Sequence, residues 1–190
     1  MSTARRPSSF QRWFGRLVTR RRLRVTEHGR DNVPTAGPAV LAAAHAEPGD
    51  GRLLELFGPR PVHVISEPQS VRTALQVLAA DQALAILLEG SPGVVERDRF
   101  NRRAAYLALV SGAPVVPVSV LRGRAVEGGI DIVYGAPYRT TRQSWPRTPR
   151  QVDATSLDLS VHVLVARDAA HTLTERLAHE PAQRPDGGTR

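Results

Sequence analysis

At 190 residues the chain is long enough for one domain with a real core, and with 41% hydrophobic but only 5% aromatic residues that core must be aliphatic. The absence of cysteine excludes disulfides, thiolate zinc sites and a cysteine nucleophile, and it fits a reducing compartment. A formal net charge of +8 points to an anionic partner, whether nucleic acid, an anionic membrane surface or a phosphorylated substrate; yet every basic side chain is arginine, which a GC-rich genome would also produce.

The first segment, SSFQRWFGRLVTRRRLRV, carries Phe10, Trp13, Phe14, Leu17 and Val18 at helical spacing, flanked by Arg12, Arg16, Arg20 and Arg22. An amphipathic basic helix over residues 1–21 follows. It lies in a membrane interface, with rings at the headgroup boundary and arginines on lipid phosphates, docks on its own domain, or serves as a targeting peptide. Neither an apolar run long enough to span a bilayer nor a secretory signal is expected.

An α/β domain is expected over residues 22–178. Leu23 and Val25 open a short strand, and GRDNVPTAGP at 29–38 is a turn. PAVLAAA at 38–44 reads as a buried strand running directly into His45. A short helix starts near Asp50, PVHVIS at 61–66 is a strand, and a helix covers about 69–80. ALAILL at 83–88 is a strand buried on both faces, ending at Glu89-Gly90. A helix over 99–111 and strands at 114–121 and 129–135 follow. A Pro- and Arg-rich loop at 137–152 leads to a long helix over about 154–178, and residues 179–190 form a polar, disordered tail. The alternation predicts one α/β domain with a mixed, largely parallel sheet flanked by helices. In such sheets ligands gather at strand C-terminal ends, where His45 and Glu89-Gly90 both fall.

His45 and Asp50 are the candidate catalytic pair. An imidazole titrates near neutral pH and serves as a general base, and a carboxylate on its other nitrogen fixes the tautomer. The spacing alone is weak, because a chain with six histidines meets it by chance often enough. The remaining histidines show no metal-ligand spacing, GSPG at 90–93 is not a nucleophile elbow, and no groove-reading or base-stacking motif supports nucleic-acid binding.

Three ordered blocks are more specific. Gly29, Asn32, Val33, Pro34, Gly37, Pro38, His45 and Asp50 match in order a Gly-x-Glu-Asn-(Leu/Val)-Pro stretch, a Gly-Pro, an apolar strand and Asn-His-x4-Asp. LAILLEGSPG is similar to Phe-Pro-Glu-Gly-Thr-Arg, with Glu89 and Gly90 in register. RFNRRAAYLALVSGAPVVPVSV is similar to a Phe-Lys-x-Gly helix followed by Pro-Val-Val-Pro-Val. From about residue 22 to 135 the chain thus resembles the glycerolipid acyltransferases, the 1-acyl-sn-glycerol-3-phosphate (lysophosphatidic acid) acyltransferase family, as a divergent and shortened member.

The resemblance implies transfer of a fatty acyl group from acyl-CoA or acyl carrier protein to the hydroxyl of a lysophospholipid or glycerol-phosphate-like acceptor. His45 would be the base and Asp50 its orienter. Glu89, Gly90 and Ser91 would line the acceptor site, with arginines such as Arg102 and Arg103 on its phosphate. No cofactor, metal or nucleic acid is implied, and the expected place is the cytoplasm, peripheral on the inner face of the cell membrane. The chain also departs from the pattern. Ala44 precedes the histidine in place of Asn, and Ser91-Pro92 stands where Thr-Arg is expected. Asn101 and Arg103 replace Lys and Gly, and only 44 positions separate His45 from Glu89. These losses fall on acceptor recognition. Arg72, Arg97, Arg99, Arg102 and Arg103 are the candidate substitutes, and a catalytically degenerate lipid-binding relative is the alternative.

Overall fold

A computed structural model describes residues 24–65, 71–123, 129–143 and 148–179, with the side chain of His45 excepted. The amphipathic helix expected over 1–21 and residues 180–190 of the expected tail lie outside the described residues. Among the described residues six strands form one mixed sheet: β1 (Arg24–His28), β2 (Ala39–Ala46), β3 (Val62–Ile65), β4 (Ala83–Glu89), β5 (Val115–Arg122) and β6 (Gly129–Tyr134). Among the described residues four α-helices accompany them: α1 (Asp50–Phe57), α2 (Val71–Ala79), α3 (Val94–Ser111) and α4 (Pro149–His179).

The strand order is β1-β6-β5-β2-β4-β3. Every pairing is parallel except β5 with β6, which run antiparallel. The expectation of a largely parallel mixed sheet holds. Each parallel pair requires a crossover, and the helices supply the covering layers. Leu53, Leu54 and Phe57 of α1 pack one face of the sheet against Leu41, Ala43, Ala85 and Val116. On the other face α2, α3 and α4 bring Leu78, Phe100, Ala104, Ala108, Leu159 and Val163 onto Val40, Ala42, Leu84 and Ile86. The fully buried Ala104, Ala105 and Ala108 let α3 approach the sheet closely, which is how a chain poor in aromatics fills its interior.

Three boundaries differ from the sequence reading. β2 continues to Ala46, so His45 lies inside the strand and not just past it. α3 begins at Val94, five positions before 99, and the early start carries no sequence signal because these turns are largely exposed and show no apolar periodicity. α4 begins at Pro149 inside the expected loop and runs to His179. Its start is a capping box. The Thr148 hydroxyl accepts from the Gln151 amide at 3.3 Å, and the Gln151 side-chain oxygen accepts from the Thr148 amide at 2.9 Å. Proline at the first helical position loses no helical hydrogen bond.

The block around Gly29 proves to be a fastening. Gly29 has φ +68°, and a Cβ there would stand 2.3 Å from the Tyr134 carbonyl oxygen. That oxygen accepts from the Asn32 side-chain amide at 2.8 Å, and Val33 beside it is buried in the core. The turn after β1 is thus pinned to the end of β6.

Candidate active site

The site arises where the sheet changes partners. β2 pairs with β5 only through Val40↔Val115, Leu41↔Val116 and Ala42↔Pro117. From Val118 onward β5 pairs with β6 instead. Pro117 brings no amide hydrogen to a ladder, and its carbonyl accepts from Gly135 at 2.8 Å. Beyond that point β2 and β5 part. The connections also reverse there: β2 leads through α1 to β3 on one side, whereas β4 leads through α3 back to β5 on the other. A topological switch point at the C-terminal ends of parallel strands is where such folds bind ligands.

A cleft of about 270 Å³ occupies this position. Its walls are mostly apolar, with Ala43, Ala44 and Ala46 from β2, Pro117, Val118 and Val120 from β5, Phe100 from α3, and Val163 and Leu164 from α4. Polar groups converge on it from four elements: Asp50 at the start of α1, Arg97, Asp98 and Asn101 on α3, Ser119 on β5, and Ser160, Arg167 and His171 on α4. Among the described residues, the arginines lining it are Arg97 and Arg167.

His45 occupies a β-bulge. Ala44 pairs with Leu88 and Ala46 pairs with Glu89, so His45 is the extra residue between them. The insertion resets the strand's alternation. Leu41 and Ala43 lie on the α1 face, and Ala46 joins that same face, which an uninterrupted period of two would forbid. Bulges recur beside active sites because they re-aim the chain locally. The residues on either side, Ala44 and Ala46, both line the cleft.

Asp50 is fully buried, yet both of its carboxylate oxygens are served. Oδ2 accepts from the Glu47 amide at 2.8 Å, which closes the tight turn after β2. Oδ1 accepts from Nη2 of Arg122 at the end of β5, and Nη1 of that guanidinium lies 3.1 Å from Glu47 Oε2.

The other expected site residues spread out. Glu89 ends β4, and Gly90, at φ +82°, donates its amide to the Ala46 carbonyl at 2.9 Å. That bond ties the Glu89–Ser91 turn to the end of β2, but all three residues are exposed and stand outside the cleft lining. Arg102 is exposed and pairs with Asp153 of α4 at 2.6 Å, joining two helices. Arg103 is half-buried on α3 and also stands outside the lining, and Arg72 and Arg99 are exposed. Of the five candidate arginines, Arg97 reaches the cleft.

Sequence reasoning missed Arg122, Arg167 and His171. Ser160, Leu164, Arg167 and His171 follow at steps of four, three and four, so helical spacing marks them as one face of α4. Arg122 had no comparable signal, because its partner is 72 positions away. Among the described residues, no group of three or more acidic or histidine side chains gathers as a metal site. No helix among them is long and apolar enough to cross a membrane.

No protein-family model matches the chain, and no curated protein matches it in sequence. Among solved structures it is similar to the crystal structure of the 1-acyl-sn-glycerophosphate (LPA) acyltransferase PlsC from Thermotoga maritima. The TM-score is 0.56 at 16% identity, over 83% of this chain and 77% of that one. The likeness is one of fold, and it agrees with the α/β architecture that the sequence blocks imply.

Proposed function

We propose that this protein is an acyltransferase moving a fatty acyl group from acyl-CoA or acyl carrier protein to the hydroxyl of a lysophospholipid or glycerol-phosphate-like acceptor. The observation that carries this reading is the switch-point cleft. Its apolar walls suit an acyl chain, a buried carboxylate lines it, and the strand that forms one wall contains His45. His45 takes the proton of the acceptor hydroxyl, and that oxygen attacks the thioester carbonyl. The carbon–sulfur bond breaks as the tetrahedral intermediate collapses, and the thiolate leaves with the proton held by the imidazolium. Asp50 orients His45 and stabilises its charged form.

Arg97 and Arg167 supply positive charge where an anionic acceptor head would sit, in place of the arginine absent after Gly90. Glu89, Gly90 and Ser91 stand outside this lining, on the turn tied to the end of β2. The basic amphipathic segment over 1–21 would hold the protein peripherally on an anionic membrane, at its cytoplasmic face.

A second reading is favoured by one observation: both Asp50 oxygens are already engaged by protein donors. On that reading the chain binds lipid or acyl groups without turnover. The purified protein and His45→Ala are incubated with radiolabelled acyl-CoA or acyl carrier protein and a panel of phosphorylated and neutral acceptors. Product that disappears in the variant supports the enzyme. Lipid binding with no product from any donor and acceptor supports the degenerate relative and sinks the enzyme.

A further inference from the structure

The Asp50–Arg122 contact joins the turn after β2 to the β5–β6 hairpin, at the end of the sheet where β2 and β5 have parted. Arg122 is placed by that hairpin, where it is in register with Ile130. Asp50 is placed by the β2–α1 turn. A carboxylate buried as completely as this one is stable in its charged form only when the charge is compensated by donors. The Glu47 amide is a neutral donor, so the compensating charge is the guanidinium. The fork is held at two points, Nη2 on Asp50 and Nη1 on Glu47, which a single ammonium does not reproduce.

An ionised carboxylate accepts hydrogen bonds at about four lone-pair sites. Among the described residues the Glu47 amide and Arg122 occupy one on each oxygen, which leaves acceptor capacity on both. We infer that Arg122 is a positioning residue for the catalytic pair: it fixes the Asp50 carboxylate, charged and oriented, so that its remaining lone pairs serve the imidazole of His45. This rests on the reading of His45 and Asp50 as base and orienter. On it, engagement of Asp50 by protein donors is what prepares the carboxylate and is no sign of inactivation.

The test has two arms. In the first, the full chain with 15N-labelled histidine is compared with Asp50→Asn, Arg122→Met and Arg122→Lys by NMR of the imidazole nitrogens, with His45 assigned through His45→Ala. The expected result is one His45 tautomer in the parent, lost alike in Asp50→Asn and Arg122→Met and partly regained in Arg122→Lys. If Arg122→Met leaves the His45 signals in place while Asp50→Asn moves them, the inference is overturned and the His45–Asp50 pair stands. If Asp50→Asn also leaves them in place, the pair itself fails, and the inference with it. Circular dichroism verifies folding, and if Arg122→Met does not fold, Arg122→Lys against the parent decides the arm.

The second arm measures acyl transfer. Arg122→Met should lower kcat roughly 10- to 100-fold, by analogy with the outer groups that orient the side chains holding a metal. Both KM values should stay within about threefold of the parent, and Asp50→Asn/Arg122→Met should be no slower than Asp50→Asn alone. An acceptor KM that rises at constant kcat would make Arg122 a substrate ligand instead. Additive losses, or a faster Arg122→Met, would also overturn the inference. If the parent shows no turnover, the first arm alone decides Arg122's role, so that role and the enzymatic reading are judged separately.

Discussion

Arg122, at the end of β5, donates to the buried carboxylate of Asp50, at the start of α1, and so links the antiparallel hairpin to the parallel part of the sheet. Removing one partner of a fully buried ion pair costs about 3–5 kcal/mol, but a third of the Arg122 side chain is exposed and Asp50 keeps the Glu47 amide. Arg122→Met should therefore lower the unfolding free energy by about 1–3 kcal/mol. Urea denaturation of the full chain checks it, and a loss below about 0.5 kcal/mol, the range of ordinary surface substitutions, would remove the pair from among the structural ties.

The apolar wall of the cleft gives a separate expectation. Ala44 is half-buried and lines the cleft beside His45. Ala44→Leu should reduce kcat/KM for long-chain acyl donors by about tenfold or more, equivalent to about 1.4 kcal/mol or more of transition-state binding. Short-chain donors should be spared. Equal losses for long and short donors would place the acyl chain elsewhere.

Arg97 and Arg167 come from different helices but line the same cleft. If they hold an anionic acceptor head, each alanine substitution removes charge-assisted hydrogen bonds worth about 1.5–3 kcal/mol, so KM for a phosphorylated acceptor should rise about 10-fold or more. KM for a neutral acceptor should not move. Steady-state kinetics with matched acceptors makes the comparison, and parallel effects on both would remove the anion-binding role.

Gly29→Ala should destabilise the fold by at least about 1–2 kcal/mol, the cost of an L-residue in the left-handed region. The added Cβ would also press on the Tyr134 carbonyl, which is backbone and has little room to yield. Asn32→Ala should cost about 1 kcal/mol through its lost hydrogen bond to the same oxygen. Neither residue lines the cleft, so the activity per folded molecule should stay near that of the parent. Denaturation curves and specific activity together test both statements.

Much of this was legible because it is local. The apolar runs of β2 and β4, the helical stripe of α2 and the Gly-Pro punctuation between them produce the alternation that defines the α/β class. The position of His45 near the C-terminal end of β2 followed from the same run. The bulge did not, because it depends on how Ala44 and Ala46 register against β4. The early start of α4 was readable in principle from Thr148, Pro149 and Gln151, but the arginines and prolines around them suggested a loop. Arg122 was out of reach for a physical reason: β5 must first choose β6 over β2 beyond Pro117, and only then does the residue meet Asp50. The family-like block at Gly29 and Asn32 was visible as a motif, but its task, fastening a turn to β6, emerged only with Tyr134 in place.

The short seam between β2 and β5 has a mechanical meaning. Two slabs, β1-β6-β5 and β2-β4-β3, are bound along their shared edge by three register pairs, like covers on a narrow spine. At the opposite end Arg122 and Asp50 act as the clasp, and the cleft is the space between the covers. A molecule entering there meets walls carried by both slabs and by α3 and α4, which pack on each other across them. How far those walls stand apart thus depends on the spine and on the clasp, and so also on residues such as Val115 and Arg122 that stand outside the lining.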